Sequence, residues 1–303
     1  MKIFITLNRM KPILVLLALM VSLQSNGQTS VRENPTAGGV VNPKDESKDP
    51  DVRKGVFFIT PFYEISYFDN LKLVSHTNYY TEPEGEFAYV YNDEEIKSYN
   101  DHYGTEYHSS MAGLKVGYQV LDGLGVSAYV GVNHFFFKSW VSQENTQTFN
   151  ADYPAITLGV SADYMKNIND RLKVLALVSC NFTTTGSVEV TNTTGLDVVS
   201  SSLNSMFWAV DLVMAYKVKK FLPYAGVGFM QQFVNPITTE ELIIQDDNGA
   251  NFTEKTKFDS HYQGLAFYGF AGLEYSFNQK LSIYMRSSFP NPFRVNTGIK
   301  IIL

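Results

Sequence analysis

Cysteine is almost absent from this chain of 303 residues: Cys180 stands alone, so no internal disulfide can form and the fold must hold by packing and hydrogen bonding. Tryptophan occurs twice, and charged residues make up only 18% of the chain. No apolar run reaches the roughly 20 residues that a membrane-spanning helix needs; the longest, Pro12 to Leu23, is about a dozen. Basic excess is missing too. The formal charge is −6, which argues against nucleic acid as a partner. No HxxxH or Asp-x-Asp-x-Asp-Gly spacing occurs, no catalytic motif stands out, and neither a metal site nor a cofactor is expected.

What the chain does have begins with a leader. Lys2, Arg9 and Lys11 precede the apolar run, and Ser25, Asn26 and Gly27 follow it, which is the layout of a secretory signal peptide over residues 1–27, cut after Gly27. Export without disulfides suits a bacterial envelope. Cutting there removes three positive charges and no acids, leaving −9. Residues 28–55 are rich in Pro, Asp, Lys, Asn and Ser. They have too little apolar surface to offset chain entropy, so they read as a disordered periplasmic tether.

From Val56 onward the dominant signal is alternation. Gly113 to Val120 sets Leu114, Val116, Tyr118 and Val120 against Gly, Lys and Gln, the period of a strand, and as a helix the same run would bury two glycines. Ten such stretches follow one another. They are Val56–Phe68, Gly113–Val120, Val126–Asn133, Ile156–Tyr164, Leu172–Phe182, Trp208–Tyr216, Phe221–Val234, Leu265–Phe277, Leu281–Arg286 and Val295–Leu303. Short turns near Asp122, Asn167, Lys219 and Gln279 alternate with long connections. Two of these are acidic: Asp69 to Glu106 holds nine acids against Lys72 and Lys97, and Asn235 to Tyr262 holds six against Lys255 and Lys257.

A soluble sandwich strand shows the same period, so alternation alone does not say what the apolar face meets. Strand length, even number, alternating connections and aromatic residues near strand ends (Tyr67, Trp140, Tyr153, Trp208, Tyr216, Phe221, Tyr275, Phe277) favour lipid. The expected fold is all-β: one antiparallel up-and-down transmembrane β-barrel of ten strands over residues 56–303, with both termini on the periplasmic side. Over Val56 to Leu303 the chain resembles the small outer-membrane β-barrel proteins of Gram-negative bacteria. Many such families end in an aromatic residue read by the assembly machinery, whereas this chain ends Ile301, Ile302, Leu303. The resemblance implies insertion in the bacterial outer membrane, with membrane lipid, lipopolysaccharide and the barrel-assembly machinery as partners.

Facing the lumen, the alternation places Glu64, Lys115, Asp163, Asp211, Glu274, Arg286 and Lys300. Mixed signs in a narrow barrel suggest ion pairs across a filled interior, with Glu64 and Arg286 on the strands flanking the terminal one. The expected role is non-enzymatic, in envelope structure or in surface recognition of a ligand or cation through the acidic loops. A narrow, porin-like solute channel is the alternative. A rim hydrolase using His102 beside Asp101, or His108 beside Ser109 and Ser110, is a third. The other histidines, His76, His134 and His261, also lie in long loops or near outer strand ends. Phe87 to Tyr91 and Leu242 to Gln245 read as hairpin extensions above the membrane rather than a partner-binding edge.

Overall fold

The computed structural model describes residues 54–69, 71–82, 85–102, 105–140, 146–150, 155–186, 188–191, 197–245 and 251–303. The expected leader, nearly all of the expected tether, and Tyr153 lie outside them. The tether's last two residues already belong to the barrel: Lys54 N donates to Asp122 Oδ1 (2.9 Å) and Gly55 N to the Gln119 carbonyl (2.8 Å).

The described residues form fourteen strands and one helix: β1 (Phe57–Asp69), β2 (Lys72–Glu82), β3 (Gly85–Val90), α1 (Asp93–His102), β4 (Glu106–Leu121), β5 (Leu124–Trp140), β6 (Thr146–Asn150), β7 (Ala155–Asn167), β8 (Leu172–Thr184), β9 (Val188–Thr191), β10 (Asp197–Tyr216), β11 (Phe221–Gln245), β12 (Asn251–Ser276), β13 (Leu281–Phe289) and β14 (Phe293–Ile302). Ten of them form a closed antiparallel ring in the order β1, β4, β5, β7, β8, β10, β11, β12, β13, β14. The last strand pairs with the first, from Phe58 opposite Ile302 to Tyr67 opposite Phe293, so the ring leaves no open backbone edge.

The turns at the end holding both barrel termini are short for local reasons. Gly123 takes φ 80° in the Asp122-Gly123 turn, Lys219 takes φ 56°, and Asn169 and Asn278 accept backbone N–H groups two and three residues on. The outer wall is apolar. Ile156, Leu158, Val160, Leu212, Met214, Val227, Leu265 and Met285 all face outward, and Phe267 is 74% exposed. On β12 this band runs from Leu265 to Tyr275, about the length a tilted strand needs to cross a hydrocarbon layer. Aromatic contacts gather at its turn-end border, where Phe221 and Tyr275 lie 4.9 Å apart and Tyr275 and Phe277 5.0 Å.

The two acidic connections are not loops. Asn235 to Tyr262 consists largely of the upper parts of β11 and β12, whose ladder runs unbroken from Ile237 opposite Asp259 to Gln245 opposite Asn251. Thr and Ile favour extended backbone, and the register sets Glu241 opposite Lys255. Asp69 to Glu106 forms the β2–β3 hairpin and α1, and β2 joins β12 across a register shift at His261/Tyr262. Phe87 and Leu242 accordingly sit in hairpin extensions. Strands β11 and β12 have 25 and 26 residues against 9 and 10 in β13 and β14, so the wall is far taller on one side.

Candidate functional site: the lumen and its cap

Because side chains alternate along each strand, every second residue of the ring points toward the axis, and there the polar groups meet one another. Arg294 Nη2 donates to Glu64 Oε1 at 2.7 Å, and Asn296 Nδ2 to the other Glu64 oxygen at 2.9 Å. Arg286 Nη2 donates to Asp211 Oδ2 at 2.8 Å while Tyr268 OH donates to Asp211 Oδ1 at 2.6 Å. Glu64 and Arg286, which flank the terminal strand on β1 and β13, do not meet each other; each pairs elsewhere. Glu64 sits opposite Asn296 on β14, two residues from Arg294 on the same face, whereas Arg286 reaches across the axis to β10. Each guanidinium also lies over a ring, Arg286 above Phe270 at 3.7 Å and Arg294 above Phe207 at 4.9 Å.

Inward aromatic rings fill much of the remaining section, and they lie where neighbouring strands carry inward glycines. A Cβ on Gly117 would stand 2.0 Å from Phe58, on Gly159 2.0 Å from Tyr129, and on Gly272 2.3 Å from Tyr224. The glycines make room for the rings, an arrangement that lets a narrow barrel pack its own interior. Smaller gaps are closed by hydroxyl pairs such as Ser127 with Ser161 (2.6 Å) and Thr157 with Thr183 (2.7 Å).

A cavity of about 340 Å³ remains toward the turn end. All seven charged residues read from the alternation line it: Glu64, Lys115, Asp163, Asp211, Glu274, Arg286 and Lys300. Two further cations do as well, Arg294 and Lys173. Arg294 shares its parity with Asn296 and Lys300, so extending the last stretch backward by one residue would have found it. Lys173 sits on β8, where apolar residues on both faces hide the parity. Above the main cavity lies a void of about 20 Å³, and Glu64, Met111, Phe207 and Arg294 line both.

The long-loop end is capped by a buried apolar layer. Tyr99 of α1 meets Tyr262 of β12, their hydroxyls sharing a hydrogen bond at 3.3 Å, and Phe137 packs against Tyr262 at 5.2 Å, with Phe68, Leu71, Leu73 and Val234 around them. Asn100 clamps α1 to β2, accepting from Leu73 N (2.8 Å) and donating to the Leu73 carbonyl (2.9 Å). The helix start is closed reciprocally: Asn92 Oδ1 accepts from Glu94 N and Glu95 N, and Glu95 Oε2 accepts from Asn92 N. Tyr89 OH donates to Glu95 Oε1, and these two bonds hold the Glu95 carboxyl below the usual carboxylate range.

The histidines do not converge. His102 Nδ1 donates to the Ser98 carbonyl at 2.7 Å within α1. His108 packs on Tyr67 with Glu106 3.9 Å away, and its neighbour Ser109 is hydrogen-bonded to Ser66. His261 lies 3.5 Å from Asp259. His134 is exposed, and among the described residues no group of three or more His, Cys, Asp or Glu side chains could hold a metal ion. His76 is buried in the cap, bonded to Ser260 Oγ at 2.7 Å and edge-on to Tyr91 at 4.5 Å.

Burial lowers the His76 pKa, against smaller opposing effects from Asn78 and Asp259. The folded cap therefore favours the neutral imidazole, while the opened cap protonates at the ordinary value near 6.5. Cap stability is full above that value and declines as pH falls below it, until the lowered folded pKa is reached. Hydrogen exchange of residues 72–82 and 257–263, corrected for intrinsic rates, is expected to quicken between pH 7.5 and 5.5. A His76→Gln variant should lose that dependence; equal pH sensitivity in both proteins would contradict it.

No curated protein matched the chain. Solved structures similar to it include three bacterial outer-membrane proteins or domains. The outer membrane protein OprG from Pseudomonas aeruginosa is 11% identical over 84% of this chain and 98% of that one (TM-score 0.38). The translocator domain of the autotransporter NalP from Neisseria meningitidis is 10% identical over 85% and 92% (TM-score 0.37), and the outer membrane protease OmpT from Escherichia coli 8% identical over 82% and 97% (TM-score 0.36). At these scores no residue role carries over from any of them. The autotransporter β-domain family model matches residues 87–288, two thirds of the sequence and most of the ring. Because that match spans more than half of the sequence, the chain belongs to the autotransporter β-domain family of outer-membrane β-barrels.

Proposed function

We propose that this protein is a non-conducting, non-enzymatic barrel of the outer membrane that works at the cell surface through its tall acidic ribbon and its cap. The leader is cut after Gly27, residues 28–53 reach into the periplasm, and the short turns face the same side. The observation that carries this reading is the double obstruction of the axis. The Tyr99–Tyr262–Phe137 layer closes the long-loop end; beneath it the Arg286–Asp211 pair joins β13 to β10, and the Glu64–Arg294 pair of the neighbouring strands β1 and β14 projects into the lumen. The family name describes a transport domain, but a segment passing through this lumen would have to displace both pairs and the rings around them. The separate contacts of His102, His108 and Ser109 support a role without catalysis. On the outside, Asp93 and Glu94 at the start of α1 present carboxylates to a cationic ligand or partner.

Planar-bilayer recording of the refolded full chain tests the reading. Single-channel conductance is expected near zero in the wild type and in Arg286→Ala, because the second ion pair and the cap remain; Arg286→Ala should nevertheless unfold at lower denaturant. A steady conductance of solute-channel size in the wild type would overturn the proposal in favour of a narrow pore.

A further inference from the structure

We infer that the lumenal cavity is a binding site for a small organic monoanion, a carboxylate on an aromatic or short aliphatic body, entering from the turn end. The argument starts from charge. The cavity is lined by five cations, Lys115, Lys173, Arg286, Arg294 and Lys300, and by four carboxylates, Glu64, Asp163, Asp211 and Glu274. Arg294 is committed to Glu64 and Arg286 to Asp211, at 2.7 and 2.8 Å. Of the remaining five groups, Lys173, Lys300 and Asp163 are engaged with neighbours, and Lys300 also lies 5.3 Å above the Phe58 ring. One positive charge is left in excess.

Lys115 carries that excess where it matters. Its ammonium makes no hydrogen bond and no ion pair within 4 Å among the described residues, although it faces the cavity six residues inside the end of β4. Glu274 likewise has no partner at that distance, but it lies two residues from the end of β12, at the wetter rim. An unpaired cation away from bulk water is costly, and a ligand anion delivered beside it recovers that cost. Around Lys115 the wall supplies Phe58, Phe62, Leu175, Leu177 and Phe270, apolar surface for the body of such a ligand. At about 340 Å³ the space falls at the lower end of the roughly 300–1,000 Å³ typical of small-molecule sites. Access follows from position: Gln119, Met165, Ala215 and Leu222, also in the lining, lie within a few residues of the short turns, whereas the opposite end is shut by the cap.

The test uses the full chain refolded in an uncharged detergent, with 4-fluorobenzoate as probe and 4-fluorobenzamide as its neutral counterpart, both followed by fluorine NMR line broadening. Saturable broadening is expected for the carboxylate and not for the amide. Lys115→Met should weaken binding about tenfold or more, equivalent to about 1.4 kcal/mol. Glu274→Gln, which raises the positive excess, should tighten it, and Leu177→Trp, which fills the cavity, should abolish it; these two keep the test decisive if Lys115→Met fails to fold. No saturable binding, equal binding of the amide, or binding unchanged in both Lys115→Met and Leu177→Trp would overturn the inference.

Discussion

Replacing Glu64 by Ala is expected to lower the unfolding stability of the barrel by about 3–5 kcal/mol, the range seen when one partner of a buried ion pair is removed. Glu64 and Arg294 are 11% and 18% exposed at their side chains, and Arg294 is held by that carboxylate above the Phe207 ring. Removing the acid leaves the guanidinium in the lumen with the ring beneath it and no counter-charge within reach, since Asp211 is already taken by Arg286 and Tyr268. Asn296 also loses its acceptor. The double variant Glu64→Ala, Arg294→Met removes both charges and should recover most of the loss, because much of the penalty lies in the stranded cation rather than in the missing attraction. Urea unfolding of the refolded proteins, followed by far-ultraviolet circular dichroism, measures both. Equal instability in single and double variants would show that Glu64 matters for packing rather than for charge.

Gly226→Ala should be nearly as damaging, at about 3 kcal/mol, the upper end of the usual cost of overpacking. A Cβ there would lie 2.2 Å from the carbonyl oxygen of Leu212 and 2.4 Å from the Phe270 ring. A ring can turn aside, but the Leu212 carbonyl belongs to the β10–β11 ladder, where Val213 lies opposite Gly226. Relief therefore requires opening the wall itself. Gly159→Ala presses only on the movable Tyr129 ring and should cost clearly less, and Gly186→Ala, with open space around it, should be close to neutral on contacts. If Gly226→Ala melts with the Gly186 variant, the wall is looser at that point than its register implies.

The parts of this molecule that could be read directly were those governed by a single face. Leu114, Val116 and Tyr118 on β4, or Ile156, Leu158 and Val160 on β7, meet lipid while their neighbours do not, so parity alone assigned the wall, the turns and all seven lumenal charges. Above the apolar band that rule stops working: Ile237 to Gln245 mixes Thr, Glu and Ile without strict alternation, and strands there look like loops when only polarity is read. Partner choice was hidden for another reason. Whether Glu64 meets Arg286 or Arg294 depends on the register of β1 with β14 and on the reach of Arg286 across the axis to Asp211, none of which is local to either residue. The glycine and aromatic pairs are non-local in the same way. Phe58 and Gly117 gain their meaning only once β1 and β4 lie side by side.

That last arrangement bears on how such a protein could change its trade. Many stoppers are separate pieces that a gene can gain or drop whole, but here the obstruction is distributed over the staves as individual rings, each seated in a notch left by its neighbour. Widening the bore would proceed by small steps, a Tyr to a Ser or a Phe to an Ala, each leaving the cylinder closed. Impermeability in this molecule is thus a graded property, adjustable one substitution at a time.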